Sequence, residues 1–172
     1  MHQSHAPDVV VERHIRATPQ RIWRALTDAR ELERWFFTEC TTDPRPAGSY
    51  HAVWKHRSDH SKTNTRFGKY LEFQPHTRLS FEWQGSTTDP NKCLPEGLLT
   101  TVTITLTPRD GGTDLRLVHT GWPTDPLCIE SRNGHEGGWT FYMNNLADVI
   151  QSGIDRRAES LEQATRAAPQ PV

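Results

Sequence analysis

Three side chains are candidates for moving protons to and from a bound substrate: His119, Glu136 and Tyr142. His119 follows Leu115 and Leu117 at alternating positions, so the pattern predicts that it points inward with them. A neutral imidazole there could hydrogen-bond a carbonyl or phenol of a ligand, or act as a general base. A buried histidine that is held by hydrogen bonds for structural reasons is the commoner case. Because the sequence offers no preorganised acid–base dyad, it assigns no catalytic residue.

Two stretches resemble metal sites but lack the required spacing. An H-E-x-x-H pattern starts at His135, but Trp139 stands where the second zinc ligand has to be. His51, His56 and His60 lie near one another in sequence, yet they span a strand and a polar loop without a fixed ligand geometry. We therefore expect no metal site.

Familiar phosphate-binding and nucleophile motifs are missing from the sequence. It contains no G-x-S-x-G, no Walker phosphate loop and no G-x-G-x-x-G, so hydrolase, NTPase and dinucleotide functions lack support and no cofactor is expected. Residues 55–57, with Lys62 and Arg66, form a basic stretch that could meet an anionic ligand or partner. A solvated loop is the default interpretation of such a stretch.

Aromatic residues are the most informative part of the composition. The chain has 6 Trp, 6 Phe and 3 Tyr, and such side chains either fill a core or line a ligand cavity. Trp54 and Tyr70 depend on strand register, because a slip of one residue turns each outward. The candidate ligand-binding residues are Trp35, Trp54, Tyr70, Phe81, Trp83, Leu117, His119, Trp139, Tyr142 and Met143.

The first elements that must position these residues are well marked. Residues 8–16 are rich in Val and Ile and predict a strand. Thr18 as N-cap and Pro19 at the first helical position predict a helix that ends near Thr27. Asp28, followed by Glu31 three residues later, is typical of a capping box and predicts a second short helix.

Five further strands and a long helix are expected downstream. Residues 40–48 are predicted to be a loop because they are rich in Thr, Pro and Gly. Asn133 with Glu136 can cap an amphipathic helix that breaks at Gly153, after which 154–168 could extend as a helix. The predicted strands are 49–55, 65–74, 78–84, 100–107 and 114–120.

This element order predicts an α+β fold. A curved antiparallel sheet of this kind needs the long C-terminal helix to cover its inner face, and it encloses a pocket. A length of 172 residues fits one domain, which we place at residues 8–166, with flexible tails at 1–7 and 167–172.

Charge and cysteine usage narrow the functional classes. Twenty Lys and Arg against 21 Asp and Glu leave a net charge of −1, which disfavours general nucleic-acid binding. No window is apolar enough for membrane insertion, and no secretion signal is apparent. Cys40, Cys93 and Cys128 are odd in number and lack a C-x-x-C pattern, so reduced thiols and a cytoplasmic location are expected.

Three segments resemble a known family. The segments RIWRALTDARELERWFF (21–37), GKYLEFQPHTRLSFEW (68–83) and HEGGWTFYMNNL (135–146) together resemble the Hsp90-ATPase-activator-like branch of the START-like (SRPBCC) superfamily. The resemblance spans almost the whole chain. It implies a helix-grip fold, in which an incomplete antiparallel barrel wraps around the C-terminal helix and two small helices close one end of a hydrophobic cavity.

The resemblance also implies a range of functions. Proteins of this kind bind lipids, polyketides, flavonoid-like molecules or antibiotics, and fold alone does not name the ligand. The segment 132–139 also resembles small START-like proteins that protect antibiotic producers from enediynes. We expect binding of a small hydrophobic molecule for sequestration, transport or self-resistance. The alternatives are a polyketide cyclase or aromatase using His119, Glu136 or Tyr142, and a co-chaperone module with a protein partner.

Overall fold

Seven strands and three helices make up the computed structural model, which describes residues 4–56, 58–59, 61–89, 92 and 94–158. All neighbouring strands are antiparallel, and the predicted α+β class with a curved sheet and a long C-terminal helix is confirmed. The elements are β1 (Val9–Ile15), α1 (Pro19–Thr27), α2 (Ala29–Trp35), β2 (Glu39–Thr42), β3 (Ser49–Lys55), β4 (Thr63–Gln74), β5 (Arg78–Thr87), β6 (Thr100–Arg109), β7 (Gly112–Thr120) and α3 (Pro126–Ser152).

The two short helices begin at the residues that the sequence indicates. Thr18 caps α1 by accepting a hydrogen bond at Oγ1 from the Arg21 amide, at 3.1 Å. Asp28 does the same for α2, accepting from the Glu31 amide at 3.1 Å. Each cap satisfies an amide that the first helical turn leaves without a backbone partner, which fixes the start of the helix.

Two predicted boundaries are wrong. The predicted loop at 40–48 contains β2, a four-residue edge strand whose Thr42 pairs with Tyr50 of β3. Helix α3 begins at Pro126, well before the predicted cap at Asn133, because the Asp125 carboxylate accepts a hydrogen bond from the Cys128 amide. The periodic signal is weak in both places. β2 is a short edge strand in a Pro- and Gly-rich segment, and the start of α3 is followed by three glycines.

The strands run in the order β1-β7-β6-β5-β4-β3-β2. One face of the sheet packs against α3, where Met143 and Leu146 are completely buried. A register shift between Tyr70 and Glu72 in β4 is a bulge, and Leu71 within it is exposed. The inward-facing alternation on β5 and β6 is formed by Leu79, Phe81, Trp83, Val102, Ile104 and Leu106.

The N-terminal end of the described chain is attached to the fold. His5 pairs with Pro123, and Ala6 is buried while its amide donates to the Trp122 carbonyl at 2.9 Å. Gly153 ends α3 in the left-handed region, with φ of 70°, where glycine has no side chain to strain the backbone.

The rest of the predicted extension beyond 158, the tail 167–172 and Cys93 lie outside the described residues. None of the described helices is long and apolar enough to cross a membrane.

Candidate functional site

A cleft of about 710 Å³ opens between the sheet and α3. Phe36, which caps the C-terminus of α2, forms one wall, and Trp54 of β3 and Trp83 of β5 form a second. Trp139 and Tyr142 of α3 form the third. The cleft is therefore a concave aromatic surface built from four separate elements, as ligand sites commonly are.

Phe36 is the centre of this aromatic cluster. Its ring lies 4.8 Å from that of Tyr142, 5.1 Å from Trp54 and 5.4 Å from Trp139, measured between ring centroids. The ring of Trp54 stacks on Tyr142 at 5.8 Å with an interplanar angle of 28°. These offset and edge-to-face contacts leave ring surfaces directed at the cleft.

A second, much smaller cavity of about 30 Å³ lies in the core. Its volume is comparable to the space that one water molecule takes up in the liquid. Trp35, Tyr70 and Phe81, three of the predicted site residues, line this cavity and not the cleft. Phe36, Trp83 and Trp139 line both spaces.

The other predicted residues divide between the cleft and the core. Trp54 and Tyr142 line the cleft and are half-buried. Leu117, His119 and Met143 are completely buried and line neither space. Of the ten predicted residues, the structure thus brings Trp54, Trp83, Trp139 and Tyr142 to the cleft and places the other six in the core.

His119 is held by hydrogen bonds at both ring nitrogens. The Trp139 indole donates to its Nδ1 at 3.0 Å, so that nitrogen is the acceptor. Its Nε2 then donates to Thr100 Oγ1 at 2.7 Å, and this hydroxyl donates to the Trp83 carbonyl at 3.1 Å. Burial lowers the pKa of His119 well below its usual value, and the charge of His135, when that ring is protonated, and the positive charge of Arg66 act in the same direction. The imidazole is neutral, and both of its nitrogens are already used.

His135 has a similar arrangement at the edge of the cleft. Its Nδ1 donates to the Ser131 carbonyl at 2.7 Å, and its Nε2 accepts a hydrogen bond from the Trp83 indole at 3.0 Å. Burial lowers the pKa of His135 to about 4. At neutral pH it therefore acts as an uncharged link between β5 and α3.

Arg66 is the one charged residue among the buried polar residues that the structure describes, with 7% of its surface exposed. It lines the cleft, and its guanidinium carbon lies 5.3 Å from the Trp83 ring centroid and 5.5 Å from that of Trp54. Desolvation lowers its pKa to about 10, so it stays protonated at neutral pH. A buried cation thus lies beside two indole faces.

The mouth of the cleft is polar. Lys55 pairs with Glu39, and Arg157 pairs with Asp155 at 2.9 Å. Lys62 also lines the mouth and makes no ion pair with any carboxylate in the described part of the chain. Within the described residues, no group of three or more His, Cys, Asp or Glu side chains could hold a metal ion, and His60 lies outside them.

Sequence reasoning missed three parts of the cleft. Phe36 is absent from the predicted site residues, and its position at the end of α2 is what directs its ring into the cleft. His135 was considered only as a metal ligand. Arg66 was assigned to a solvated basic stretch, although it lies four residues before Tyr70 on the same strand and therefore shares its inward phase.

Comparison with known families and structures gives a consistent result. The model of the family described as Activator of Hsp90 ATPase homolog 1-like protein matches residues 16–151. No curated protein matches the sequence. The chain is similar to the crystal structure of protein MLL2253 from Mesorhizobium loti, with 26% identity and a TM-score of 0.67 over 84% of this chain and 96% of that one.

Two further solved structures share the fold at lower identity. DynU16, a protein of the dynemicin biosynthetic locus, has 20% identity and a TM-score of 0.68, covering 86% of this chain and 48% of its own. The Aha1 dimer from Colwellia psychrerythraea has 17% identity and a TM-score of 0.61, covering 86% of this chain and 98% of that one. At these identities the likeness shows the fold alone.

Proposed function

The chain belongs to the Activator of Hsp90 ATPase homolog 1-like family, a branch of the START-like superfamily, and from this premise we propose that it binds a small hydrophobic, aromatic molecule in the cleft. The molecule is held for sequestration, transport or self-resistance and is not converted. Apolar burial supplies the affinity, and a few polar groups orient the ligand.

The aromatic lining of the cleft is the observation that carries this proposal. A volume of about 710 Å³ lies within the range of small-molecule sites, roughly 300 to 1,000 Å³. Trp54 and Tyr142 present a stacked pair of rings, and Trp83 and Trp139 add further ring surface. Flat polycyclic compounds suit such walls because aromatic rings favour offset stacking and edge-to-face contacts.

Glycines on α3 support the same proposal. Gly134 and Gly138 are one helical turn apart and both line the cleft, while Gly137 does not. A Cβ at any of the three would meet no atom within 4 Å, so packing does not require glycine at these positions. Each glycine inside a helix costs about 1 kcal/mol relative to alanine. Keeping the cleft open is a physical reason for Gly134 and Gly138.

The three candidate groups for proton transfer that the sequence indicates favour binding over catalysis. His119 is neutral and hydrogen-bonded at both nitrogens, and it does not line the cleft. Glu136 points to Arg132 at 2.7 Å and is outside the cleft lining. Burial raises the pKa of Tyr142, which disfavours it as a base. A cyclase needs such groups to converge on the substrate.

A titration with N-phenyl-1-naphthylamine tests the proposal. This neutral dye gains fluorescence in apolar sites, and the cleft tryptophans report on the same event by quenching. The blocking variant is Gly138→Leu, which places a side chain inside the cleft, and the matched control is Gly137→Leu on the same helix. We expect the Kd to rise about tenfold or more in Gly138→Leu and to change little in Gly137→Leu.

Mass spectrometry of both protein and bound compound completes the test, with a panel of polycyclic aromatic compounds replacing the dye. An intact chain and an intact compound support a carrier. An altered compound overturns the proposal in favour of an enzyme, and a cleaved chain points to self-sacrificial resistance. Equal binding by both leucine variants places the ligand outside the cleft. Binding of no compound favours a co-chaperone module.

A further inference from the structure

Arg66 is a charged side chain in an apolar setting. It points inward from β4, and its strand neighbours are Ala52 on β3 and Gly85 on β5. Both neighbours are small, and a Cβ at Gly85 would lie 3.1 Å from Arg66 Cδ and only 1.8 Å from the Thr65 carbonyl oxygen. The backbone therefore leaves room for a long side chain to bend into the sheet and reach the cleft.

Within the described residues, the guanidinium of Arg66 has no counter-ion. Its hydrogen bond in this part of the chain runs from a terminal nitrogen to the Thr65 carbonyl at 2.8 Å, and its Nε is buried without an acceptor there. Among the residues that the structure describes, no carboxylate lies within 4 Å of it. A buried charge without a partner is costly, and natural proteins rarely contain one without a functional reason.

Neighbouring side chains do not supply the missing charge. Tyr50 is the ionisable group whose charge would act on Arg66, but burial raises the pKa of this phenol well above its usual value, so it is neutral. Its hydroxyl donates to the Glu82 carbonyl at 2.7 Å instead. The Trp54 and Trp83 ring faces stabilise the cation without accepting its hydrogen bonds.

A second polar group beside the cleft also lacks a partner. The Ser131 hydroxyl is buried on α3 and has no hydrogen bond within the described residues. Ser131 and Arg66 both line the cleft. Both side chains can donate a hydrogen bond to an oxygen atom of a ligand in the cleft.

We infer that the ligand carries an anionic oxygen group, such as a carboxylate or phenolate on an aromatic ring, and that Arg66 binds it. The inference rests on the proposed function, because it concerns the same cleft and adds the charge of its occupant. The ring of the ligand contacts the indoles, and its oxygen accepts from the guanidinium, which is the geometry that arginine provides best. Basic side chains outnumber acidic ones in the cleft lining, which favours the approach of an anion: Lys55, Lys62, Arg66, Lys92 and Arg157 stand against Asp89 and Glu130.

Two dyes with one scaffold test this inference. N-phenyl-1-naphthylamine is neutral, and 8-anilinonaphthalene-1-sulfonate adds only a sulfonate to the same rings. We expect the unmodified protein to bind the sulfonate about tenfold or more tightly than the neutral dye. The titration is done in about 1 M salt, where the Debye length is about 3 Å. Interactions between surface charges are then largely screened, whereas a buried ion pair is screened much less.

Substitutions of Arg66 and Lys62 show which residue causes the preference for the sulfonate dye. Arg66→Met should abolish the preference for the sulfonate while leaving binding of the neutral dye, and Arg66→Lys should retain part of it. Lys62→Met is the control at the mouth and should keep the preference in high salt. A melting curve of each variant shows that it folds.

The outcomes separate the two claims. If the unmodified protein binds both dyes equally, the anion inference fails and the proposed function stands, and this comparison needs no variant. If Lys62→Met removes the preference and Arg66→Met does not, the assignment to Arg66 fails. If neither dye nor any aromatic compound binds, the proposed function fails as well.

Discussion

The Trp83 indole donates a hydrogen bond to His135 Nε2 at 3.0 Å and thereby joins the sheet to α3 at the edge of the cleft. The bond requires a neutral imidazole, because a protonated Nε2 has no lone pair to accept it. Trp139 and His119 form a second bond of this kind with the elements exchanged: the indole lies on the helix and the imidazole on the sheet. Two indole–imidazole pairs therefore fix the helix against the strands below the cleft.

These pairs predict that the protein loses stability in mild acid. Burial lowers the pKa of His135 to about 4, whereas the unfolded chain titrates near 6.5. The contribution is therefore fully present above about pH 6.5 and is lost as the pH falls toward about 4, because only the unfolded state takes up the proton. For His135 alone the free energy of unfolding should fall by about 2 kcal/mol between pH 7.5 and pH 5.

Urea denaturation at the two pH values measures this loss, and His135→Gln is the informative variant. Glutamine can still accept from the Trp83 indole but does not titrate, so the variant should lose less stability in acid than the unmodified protein. His119 keeps part of the pH dependence in both, because burial also lowers its pKa. Equal losses in the two proteins would show that His135 titrates alike in the folded and unfolded states.

Removal of Trp139 tests how much the aromatic cluster contributes to stability. The side chain is 3% exposed, and its ring lies 5.0 Å from that of Trp83. Trp139→Ala leaves a cavity and also leaves His119 Nδ1 without its donor, so we expect a loss of about 3 to 5 kcal/mol. Trp139→Phe isolates the hydrogen bond and should cost about 1 to 3 kcal/mol.

Chemical denaturation measures both variants, with Phe141→Ala as the control. Phe141 lies two residues away on the same helix, but 37% of its surface is exposed. Its removal should cost less than about 1 kcal/mol. A comparably small loss for Trp139→Ala would contradict the packing described above.

Local signals explain how much of the fold was predictable. Thr18 before Pro19 marks the start of α1 because cap and proline act within one turn. Asp125 before Pro126 is the same signal for α3, but the glycines that follow interrupt the apolar pattern and favoured a later start. The alternation of apolar residues and threonines on β6 indicates which face of that strand is buried. β2 is too short and too exposed to show such an alternation.

The site was less predictable because it depends on long-range packing. The alternating pattern on β5 places Trp83 and Phe81 on the same face of the sheet, as the structure does. It does not indicate which of them lines the cleft. That is decided by where Phe36 and α3 cross the sheet. Arg66 shares the inward phase of β4, yet its charge predicts solvation, and only the small neighbours on the adjoining strands make its burial possible.

Cys40 should be chemically inert in the folded protein. Burial and the negative charge of Glu33 raise the pKa of its thiol to about 12, so at pH 8 about one thiol in ten thousand is ionised. Treatment with iodoacetamide followed by peptide mapping should find the Cys40 peptide unmodified in the native protein and alkylated after unfolding in urea. Rapid alkylation in the native state would show that the thiol is accessible and that β2 opens.

The last prediction concerns the energetic cost of Arg66. Its pKa is lowered from 12.5 to about 10, which corresponds to about 3 kcal/mol against the charged form. Contacts with two indole faces return about 2 kcal/mol of this. Methionine keeps the volume and the contact with the rings but carries no charge.

Arg66→Met should therefore raise the free energy of unfolding by about 1 kcal/mol in the absence of ligand. Denaturation by urea measures the change, and Lys62→Met, which removes a charge at the mouth, should shift the value by no more than about 0.5 kcal/mol. A gain in stability on losing a buried cation is expected where that cation serves binding, because functional sites commonly reduce stability. A loss of more than about 1 kcal/mol would instead mean that the guanidinium is part of the structural core, and that its hydrogen-bonding needs are met within the protein.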